Sequence, residues 1–345
     1  MPRTVLRRLL GIVTFIGVAT AAAAADDYSI VERWTTGGSG GWDYLAVDAP
    51  RQRLFVTRGD HVDVVDTRSG KLIGTIPGTA GVHGVALAPE RRRGYTSNGR
   101  SNTVTEFDYD SLAVLRQAAV PGENPDAILF DAASQRLFTF NGRSKDATVF
   151  DPATLAVVAT LPMPDKPEFA AADGHGQVFV NIESEVGQIV AIDARGAKVT
   201  ATWPLPGCAT PTGLAVDREH ARLFSVCDGK VMAVTDATNG HPVARVAIGS
   251  GPDAAAYDPT RGLVFSSNGE GSLTVVRERS PDSYEVAETL QTQRGARTMA
   301  LDPQSGRVYL VTAAFGPAPA ATAEQPHPRP VPVPGSFTVL VAAPQ

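Results

Sequence analysis

Short runs of apolar residues, separated by polar turns, recur along the chain. Residues 124–151 contain three such runs, each the length of a β-strand, and the last two are rich in aromatic and β-branched residues. An aromatic residue in the second run recurs at intervals of 40, 43, 41, 45, 41 and 44 residues, as Phe55, Tyr95, Phe138, Phe179, Phe224, Phe265 and Tyr309. Seven all-β copies at this period predict a seven-bladed β-propeller.

Each complete copy predicts a blade of four antiparallel strands, and turn residues such as Asp-Pro and Ser-Gly separate them. In the first copy the predicted strands cover residues 44–47, 54–57, 62–65 and 71–76. No segment has the period of a helix, and nothing in the pattern predicts a second domain.

The seventh copy is incomplete, and a single strand precedes the first copy. Residues 297–301, 307–312 and 336–341 supply three strands of the last blade, and residues 28–34 form the unassigned strand. We therefore predict that the N-terminal strand completes blade seven. Closure of this kind joins the two chain ends in one sheet and removes two open edges.

The N-terminus has the pattern of an export signal. A basic start with Arg3, Arg7 and Arg8 precedes a short apolar stretch at residues 9–18, and small alanines follow at residues 23–25. This predicts a signal peptide over residues 1–25 and one propeller domain over residues 26–345, located in the periplasm or secreted. A retained anchor is the alternative, although the apolar stretch is short for a membrane span and no later segment is long enough.

The net charge of the chain limits the classes of partner that we expect. Removal of the three signal arginines changes the formal net charge from −5 to −8. An acidic chain is a poor non-specific binder of nucleic acid or anionic lipid, so neither is an expected partner. We expect a monomer without a membrane span.

Both cysteines belong to the fifth copy. Cys208 lies just before the first predicted strand of that copy, and Cys227 lies just after its second strand. Adjacent antiparallel strands bring these two places together, and an oxidising compartment favours a disulfide between them. The alternative is a reactive or metal-binding pair of thiols.

Residues 315–335 are the only segment of low complexity. By position they join the second and third strands of blade seven as a surface loop, and their prolines predict extended geometry without strand pairing. The loop is either a solvated connection, or else a lid or a partner-docking segment.

The second strands carry a recognisable motif. Residues 94–98 (GYTSN) and 264–268 (VFSSN) resemble the Tyr-Val-Thr-Asn repeat of the YVTN or YncE-like β-propellers, and the similarity extends over the mature chain. The place of the motif's asparagine is taken by Asn98, Asn141 and Asn268 in three copies, and by Arg58, Ile182, Cys227 and Thr312 in others. The resemblance implies an exported seven-bladed propeller. It leaves the function open, because members include ligand binders, nucleic-acid binders and relatives of enzymes.

One residue of each copy is expected at the mouth of the central channel. Propellers commonly bind ligands where the entry to each inner strand meets the loop after each second strand. The equivalent entry positions are Asp43, His83, Asp126, Glu168, Thr212, Asp253 and Arg297. So many ionisable groups are unusual for a packed core. The alternative is a purely structural role, in which the carboxylates cap backbone amides and pair with Arg297, and His83 is a hydrogen-bonded loop residue.

The loops after the second strands predict a second ring above the first. Its candidate ligand-binding residues are Arg58, Asn98, Arg100, Asn141, Arg143, Asn268 and Glu270. Guanidinium groups suit carboxylate or phosphate oxygens. The Asn-Gly pairs have an alternative explanation as hairpin turns.

Three functions are compatible with the sequence. The first is binding of a small polar or anionic molecule, or of a partner's loop, at the charged mouth. The second is a lyase or hydrolase in which His83 acts as general base or acid beside the acidic ring. The third, binding of single-stranded nucleic acid, rests on the resemblance alone. No resident cofactor is expected; Ca²⁺ would suit the carboxylates better than zinc or copper would.

Overall fold

The computed structural model describes residues 1, 27–38, 40–320, 322, 328 and 330–345. Residues 2–25 of the predicted export signal lie outside the described residues. The described part contains 28 β-strands in seven four-stranded sheets, and two 3-10 helices at Ala49–Arg51 and Pro89–Arg91. This confirms the predicted all-β propeller. Within the same residues, no helix is long and apolar enough to cross a membrane.

The strands of the first three blades follow the chain from the inner to the outer edge of each sheet. Blade one contains β2 (Leu45–Asp48), β3 (Arg53–Thr57), β4 (Val62–Asp66) and β5 (Leu72–Ile76). Blade two contains β6 (Val82–Ala88), β7 (Arg93–Asn98), β8 (Thr103–Asp108) and β9 (Val114–Ala119). Blade three contains β10 (Pro125–Asp131), β11 (Arg136–Asn141), β12 (Asp146–Phe150) and β13 (Val157–Pro162).

The next three blades repeat this order. Blade four contains β14 (Lys166–Ala172), β15 (Gln177–Glu183), β16 (Gln188–Asp193) and β17 (Lys198–Pro204). Blade five contains β18 (Pro211–Asp217), β19 (Arg222–Cys227), β20 (Val231–Asp236) and β21 (Pro242–Ala247). Blade six contains β22 (Pro252–Asp258), β23 (Leu263–Asn268), β24 (Ser272–Ser280) and β25 (Ser283–Gln291).

Blade seven joins the two ends of the chain. Its order from the inner edge is β26 (Thr298–Asp302), β27 (Arg307–Thr312), β28 (Thr338–Pro344) and β1 (Tyr28–Thr35). The first strand pairs antiparallel with β28, from Tyr28 opposite Pro344 to Thr35 opposite Thr338. The structure is therefore consistent with the predicted closure by the N-terminal strand.

The core lies between neighbouring sheets. The repeated aromatic residue of each second strand is at most 2% exposed. Inner strands approach so closely at the axis that small residues are required: a Cβ on Gly213 would lie 2.5 Å from the backbone nitrogen of Ala255 in the next blade. Crowding at the axis therefore brings the entry positions of different blades together.

The two cysteines form the predicted disulfide. Cys208 lies before β18 and Cys227 ends β19, and their Cα atoms are 5.3 Å apart. The cross-link thus joins the entry of the inner strand of blade five to the end of its second strand.

The proline-rich segment does make strand-like pairing, so the expectation that its prolines prevent pairing was wrong. Phe315 and Pro332 form an antiparallel bridge. Gly316 donates its backbone N–H to the Val331 carbonyl (2.9 Å), and Val333 donates to the Ala314 carbonyl (2.8 Å). Pairing is possible because the prolines alternate with valines, so that each lost N–H faces away from the partner strand.

Candidate functional site

Three entry positions meet in one cluster at the mouth. The Nδ1 atom of His83 lies 2.5 Å from Oδ2 of Asp43 and 3.6 Å from Oδ1 of Asp126. These residues come from blades one, two and three. The structure therefore places side chains more than 80 residues apart in sequence around one imidazole.

Three further entry positions are engaged in contacts of their own. Arg297 pairs through Nε with Oδ2 of Asp253 at 3.3 Å, between blades seven and six. Thr212 is buried and donates its hydroxyl to the Pro252 carbonyl (3.0 Å), so it stabilises the junction between blades five and six. The remaining position, Glu168, is paired with a lysine.

Sequence reasoning missed that lysine. Lys166 contacts Glu168 at 2.9 Å and also makes a short ion pair with Glu183. It lies two residues before Glu168 on β14, and residues two apart point to the same side of a strand. The alternation of side chains along a strand could therefore have identified Lys166 from the sequence. The prediction took only one residue from each blade and did not use this alternation.

An aromatic pair lies beside this ring of entry positions. Tyr44 of blade one and Phe169 of blade four contact each other edge to face, with ring centroids 5.2 Å apart. Blades one and four are not neighbours, so this contact crosses the axis. Tyr44 and Phe169 directly follow the entry positions Asp43 and Glu168, and neither was among the predicted site residues. The two rings therefore meet beside the ring of entry positions.

Charge sets the protonation of His83. Burial opposes protonation, but the hydrogen bond to Asp43 and the charges of Asp126 and Asp43 outweigh it and raise the His83 pKa to about 9. At neutral pH the side chain is an imidazolium. This favours an acid or a fixed cation over a general base.

The acids around it are shifted towards their neutral forms. Burial raises the pKa of Asp253 to about 7, although the charge of Arg297 acts in the opposite direction. Burial also raises the pKa of Asp126 against the charge of His83, and the pKa of Glu168 with a further contribution from Asp126. The crowding of carboxylates therefore makes part of the ring less negative than its composition suggests.

The asparagines of the second ring are buried inside their blades. Each donates its amide to two side chains of the adjacent third strand: Asn98 to Thr103 and Thr105, Asn141 to Asp146 and Thr148, and Asn268 to Ser272 and Thr274. The glycines that follow them lack the positive φ of a type I′ turn. The Asn-Gly pairs are therefore not hairpin turns of that type, and the asparagines tie neighbouring strands together.

The arginines of the second ring divide into two kinds. Arg58 is only 3% exposed, lies 3.2 Å from Oδ2 of Asp63, and stacks 3.8 Å above the centre of the Phe337 ring. Its guanidinium is part of the wall. Arg100 and Arg143 are exposed, and neither has a carboxylate within ion-pair distance among the residues that the structure describes.

Arg100 and Arg143 line a cavity of about 540 Å³ together with Asp43 and His83, which we call the first cleft. Its remaining lining includes Trp42, Asn102, Asn124 and four backbone glycines: Gly41, Gly59, Gly81 and Gly99. Backbone hydrogen bonds from Gly99 to Gly81 (2.8 Å) and from Gly142 to Asn124 (3.0 Å) hold its edges. The first cleft is therefore a pre-formed, cation-lined concavity.

A second cavity adjoins the first across Gly41 and Trp42. This second cleft, of about 510 Å³, is also lined by Gly269, Arg294, Gly295, Arg297, Phe315, Pro330 and Pro332. Glu270 of blade six lies nearby, is exposed and accepts a hydrogen bond from Ser272 (3.0 Å). The two clefts together form the mouth.

Three side chains at the mouth have the spacing of metal ligands. Asp43, His83 and Asp126 each offer one ligand atom, and these atoms lie within 4.8 Å of one another. The raised pKa of His83 means that a cation would have to displace a proton from the imidazole. Asp217, His220 and Glu278 form a second such group near the opposite end of blades five and six.

Similarity to known proteins is found in the fold rather than in the sequence. No protein-family model matches the chain, and no curated protein matches its sequence. A chain of Kuenenia stuttgartiensis hydrazine synthase is similar with a TM-score of 0.69 and 15% identity, over 79% of this chain and 92% of that one. A chain of the mitotic checkpoint complex is similar with a TM-score of 0.73 and 15% identity, over 99% of this chain and 98% of that one. The chain therefore has the seven-bladed β-propeller fold.

Proposed function

We propose that this protein is an exported, YncE-like propeller whose first cleft binds a small molecule, or the acidic loop of a partner protein, through a carboxylate or phosphate group. The observation that carries the proposal is the pair Arg100 and Arg143, exposed in a concave cleft without a carboxylate within ion-pair distance among the described residues. Guanidinium groups bind such oxygens through paired hydrogen bonds. The cleft volume is in the usual range for small-molecule sites.

The charge around the first cleft supports the choice of an anion. His83 is cationic at neutral pH, and the pKa of the neighbouring Asp126 is raised by burial. The chain as a whole is acidic. A cationic cleft on an acidic protein attracts anions locally while the rest of the surface repels them.

Export is supported by the basic and apolar pattern of residues 1–25 and by the disulfide of blade five. N-terminal sequencing of the protein recovered from fractionated cells tests it. A periplasmic or secreted product that begins near residue 26 is expected. A cytoplasmic product that keeps residue 1 would refute it.

The binding test uses inorganic phosphate and a dicarboxylate, succinate, as probes. Titration calorimetry should show binding to the wild-type protein. Arg100→Gln and Arg143→Gln should each weaken it about tenfold or more, because a charge-assisted hydrogen bond contributes roughly 1.5–3 kcal/mol. Arg68→Gln is the matched control, since this exposed arginine lies outside the mouth. Equal losses in all three variants, or no loss in the first two, would refute the proposal.

A lyase or hydrolase at the same mouth is the second candidate, favoured by the protonated His83. With a pKa of about 9, His83 could deliver a proton to a leaving group as a general acid. Loss of turnover in His83→Gln, with the circular dichroism of the folded wild-type protein retained, would support an enzyme. Undiminished turnover in that variant would rule out this role.

A further inference from the structure

The second cleft is lined by two aromatic side chains, Trp42 and Phe315, whereas the first is lined by Trp42 alone. The rings of Trp42 and Phe315 are 6.1 Å apart between centroids and inclined at 49°. Phe315 lies against Gly295, where a Cβ would be 2.7 Å from its ring. The absence of a side chain at Gly295 thus allows the ring to settle on the loop and form a flat apolar wall.

The insertion in blade seven builds this cleft. The bridge between Phe315 and Pro332 places an aromatic ring and a proline beside the mouth. Gly335 donates its N–H to the Gly38 carbonyl (2.8 Å), which anchors the insertion to the segment that carries Trp42. Trp42 also packs on Phe337, with ring centroids 5.2 Å apart. The walls are therefore held in place without a ligand.

Two arginines lie at the edge of the apolar walls. Arg297 pairs with Asp253 through Nε, yet its side chain remains 50% exposed. Arg294 is exposed and has no carboxylate within ion-pair distance in the part of the chain that the structure describes. Its backbone carbonyl accepts a hydrogen bond from Thr312 (2.8 Å), so the loop that presents it is fastened to β27. Two positively charged side chains therefore border the aromatic walls of the second cleft.

We propose that the second cleft binds an amphiphilic anion with a flat apolar body, such as an aromatic carboxylate or an aryl phosphate. The ring system packs against the wall formed by Trp42, Phe315 and the prolines, and the acidic group lies at Arg294 and Arg297. A cavity of about 510 Å³ accommodates a molecule of one or two fused rings. This inference rests on the proposed anion-binding role of the mouth and specifies the class of ligand.

The test compares 2-naphthoate with its neutral analogue 2-naphthylmethanol on the full mature chain, by calorimetry and by quenching of tryptophan fluorescence. We expect 2-naphthoate to bind with a Kd below about 1 mM. The alcohol should bind about tenfold more weakly or worse, because it lacks the charge. Absence of binding by 2-naphthoate, or equal binding of the two compounds, would overturn the proposal.

Variants locate the site. Arg294→Gln and Phe315→Ala should each weaken 2-naphthoate binding about tenfold. Arg143→Gln, in the first cleft, should leave it within about twofold of the wild-type value while it weakens the binding of phosphate. Loss of 2-naphthoate binding in Arg143→Gln alone would overturn the second cleft as the site. Loss of phosphate binding in none of the variants would instead count against the proposed function of the first cleft.

Discussion

At the scale of single residues, charge crowding decides what the mouth can do. His83 is surrounded by acids from blades one, three and four, and the hydrogen bond to Asp43 together with the charges of these acids outweighs the cost of burying an imidazolium. Asp253 is shifted in the direction of its neutral form by the same burial. The ring of entry positions is acidic in composition, yet it presents the imidazolium of His83 to the first cleft.

This arrangement predicts the titration of His83. Its pKa should be about 9 in the folded protein, as measured by NMR of the imidazole, and should fall below about 8 in Asp43→Asn because the stabilising anion is removed. Asp60→Asn, which removes the carboxylate beside His61, is the control and should leave His83 unchanged. A wild-type value near 6.5 would contradict this account.

The raised pKa also has a consequence for stability. Since the folded value exceeds the ordinary 6.5, the contribution of His83 to the free energy of unfolding is complete below about pH 6.5. It is lost as the pH rises through about 9. Urea unfolding of the wild-type protein and of Asp43→Asn at pH 6 and at pH 9.5 should therefore differ more at the lower pH. An equal difference at both values would argue against an ion pair.

At the scale of the blade, different devices tie the second strand to its neighbours. In blades two, three and six, the terminal asparagine of the second strand donates to hydroxyl or carboxylate groups of the third strand. In blade five, Cys227 takes that place, and the facing residues Val231 and Ala233 have no polar side chain. The disulfide to Cys208 instead ties the end of this strand to the entry of the inner strand. The residue type at the end of the second strand and the residue types on the facing third strand therefore differ together between blades.

Removal of the disulfide should destabilise the protein. For two cysteines 19 residues apart, restriction of the unfolded chain is worth about 3 kcal/mol, so Cys208→Ala/Cys227→Ala should lower the free energy of unfolding by roughly that amount in a denaturant titration. Dithiothreitol should destabilise the wild-type protein similarly and leave the double variant unaffected. A wild-type protein insensitive to reductant, at full reduction, would contradict the prediction.

At the scale of the whole molecule, stability depends on the junction in blade seven. Tyr28 of β1 is buried and contacts Phe265 of blade six, with ring centroids 5.1 Å apart. At the other end of the strand, Trp34 lies 5.8 Å from Tyr309. The N-terminal strand therefore packs on blade six and on the second strand of its own blade, as well as pairing with β28. Separation of the chain ends would expose both faces.

Tyr28→Ala should weaken this junction. Truncation of a buried aromatic side chain costs about 3–5 kcal/mol, and the loss should appear as a lower midpoint in thermal and urea unfolding of the entire propeller. Val31→Ala on the same strand is the matched control, because Val31 is 45% exposed and should change stability by less than about 1 kcal/mol. An unchanged midpoint in Tyr28→Ala would mean that the junction does not limit stability.

The sequence by itself determined the number of blades, their four strands, the closing role of the N-terminal strand and the disulfide. These features follow from local periodicity, which is repeated seven times, and from the pairing rules of adjacent strands. The same equivalence between copies selected Asp43, His83 and Asp126, which the structure brings together. Position within a repeat is thus readable from the chain.

Only the tertiary structure decided what each side chain does at its position. It placed Arg58 inside the wall and left Arg100 in the cleft, although both follow a second strand. It also brought Trp42 beside Phe315, two residues that share no repeat position. The physical reason is that burial, protonation and the direction of a side chain depend on neighbours from other blades and from an insertion. Those neighbours are distant in sequence and meet only when the ring has closed.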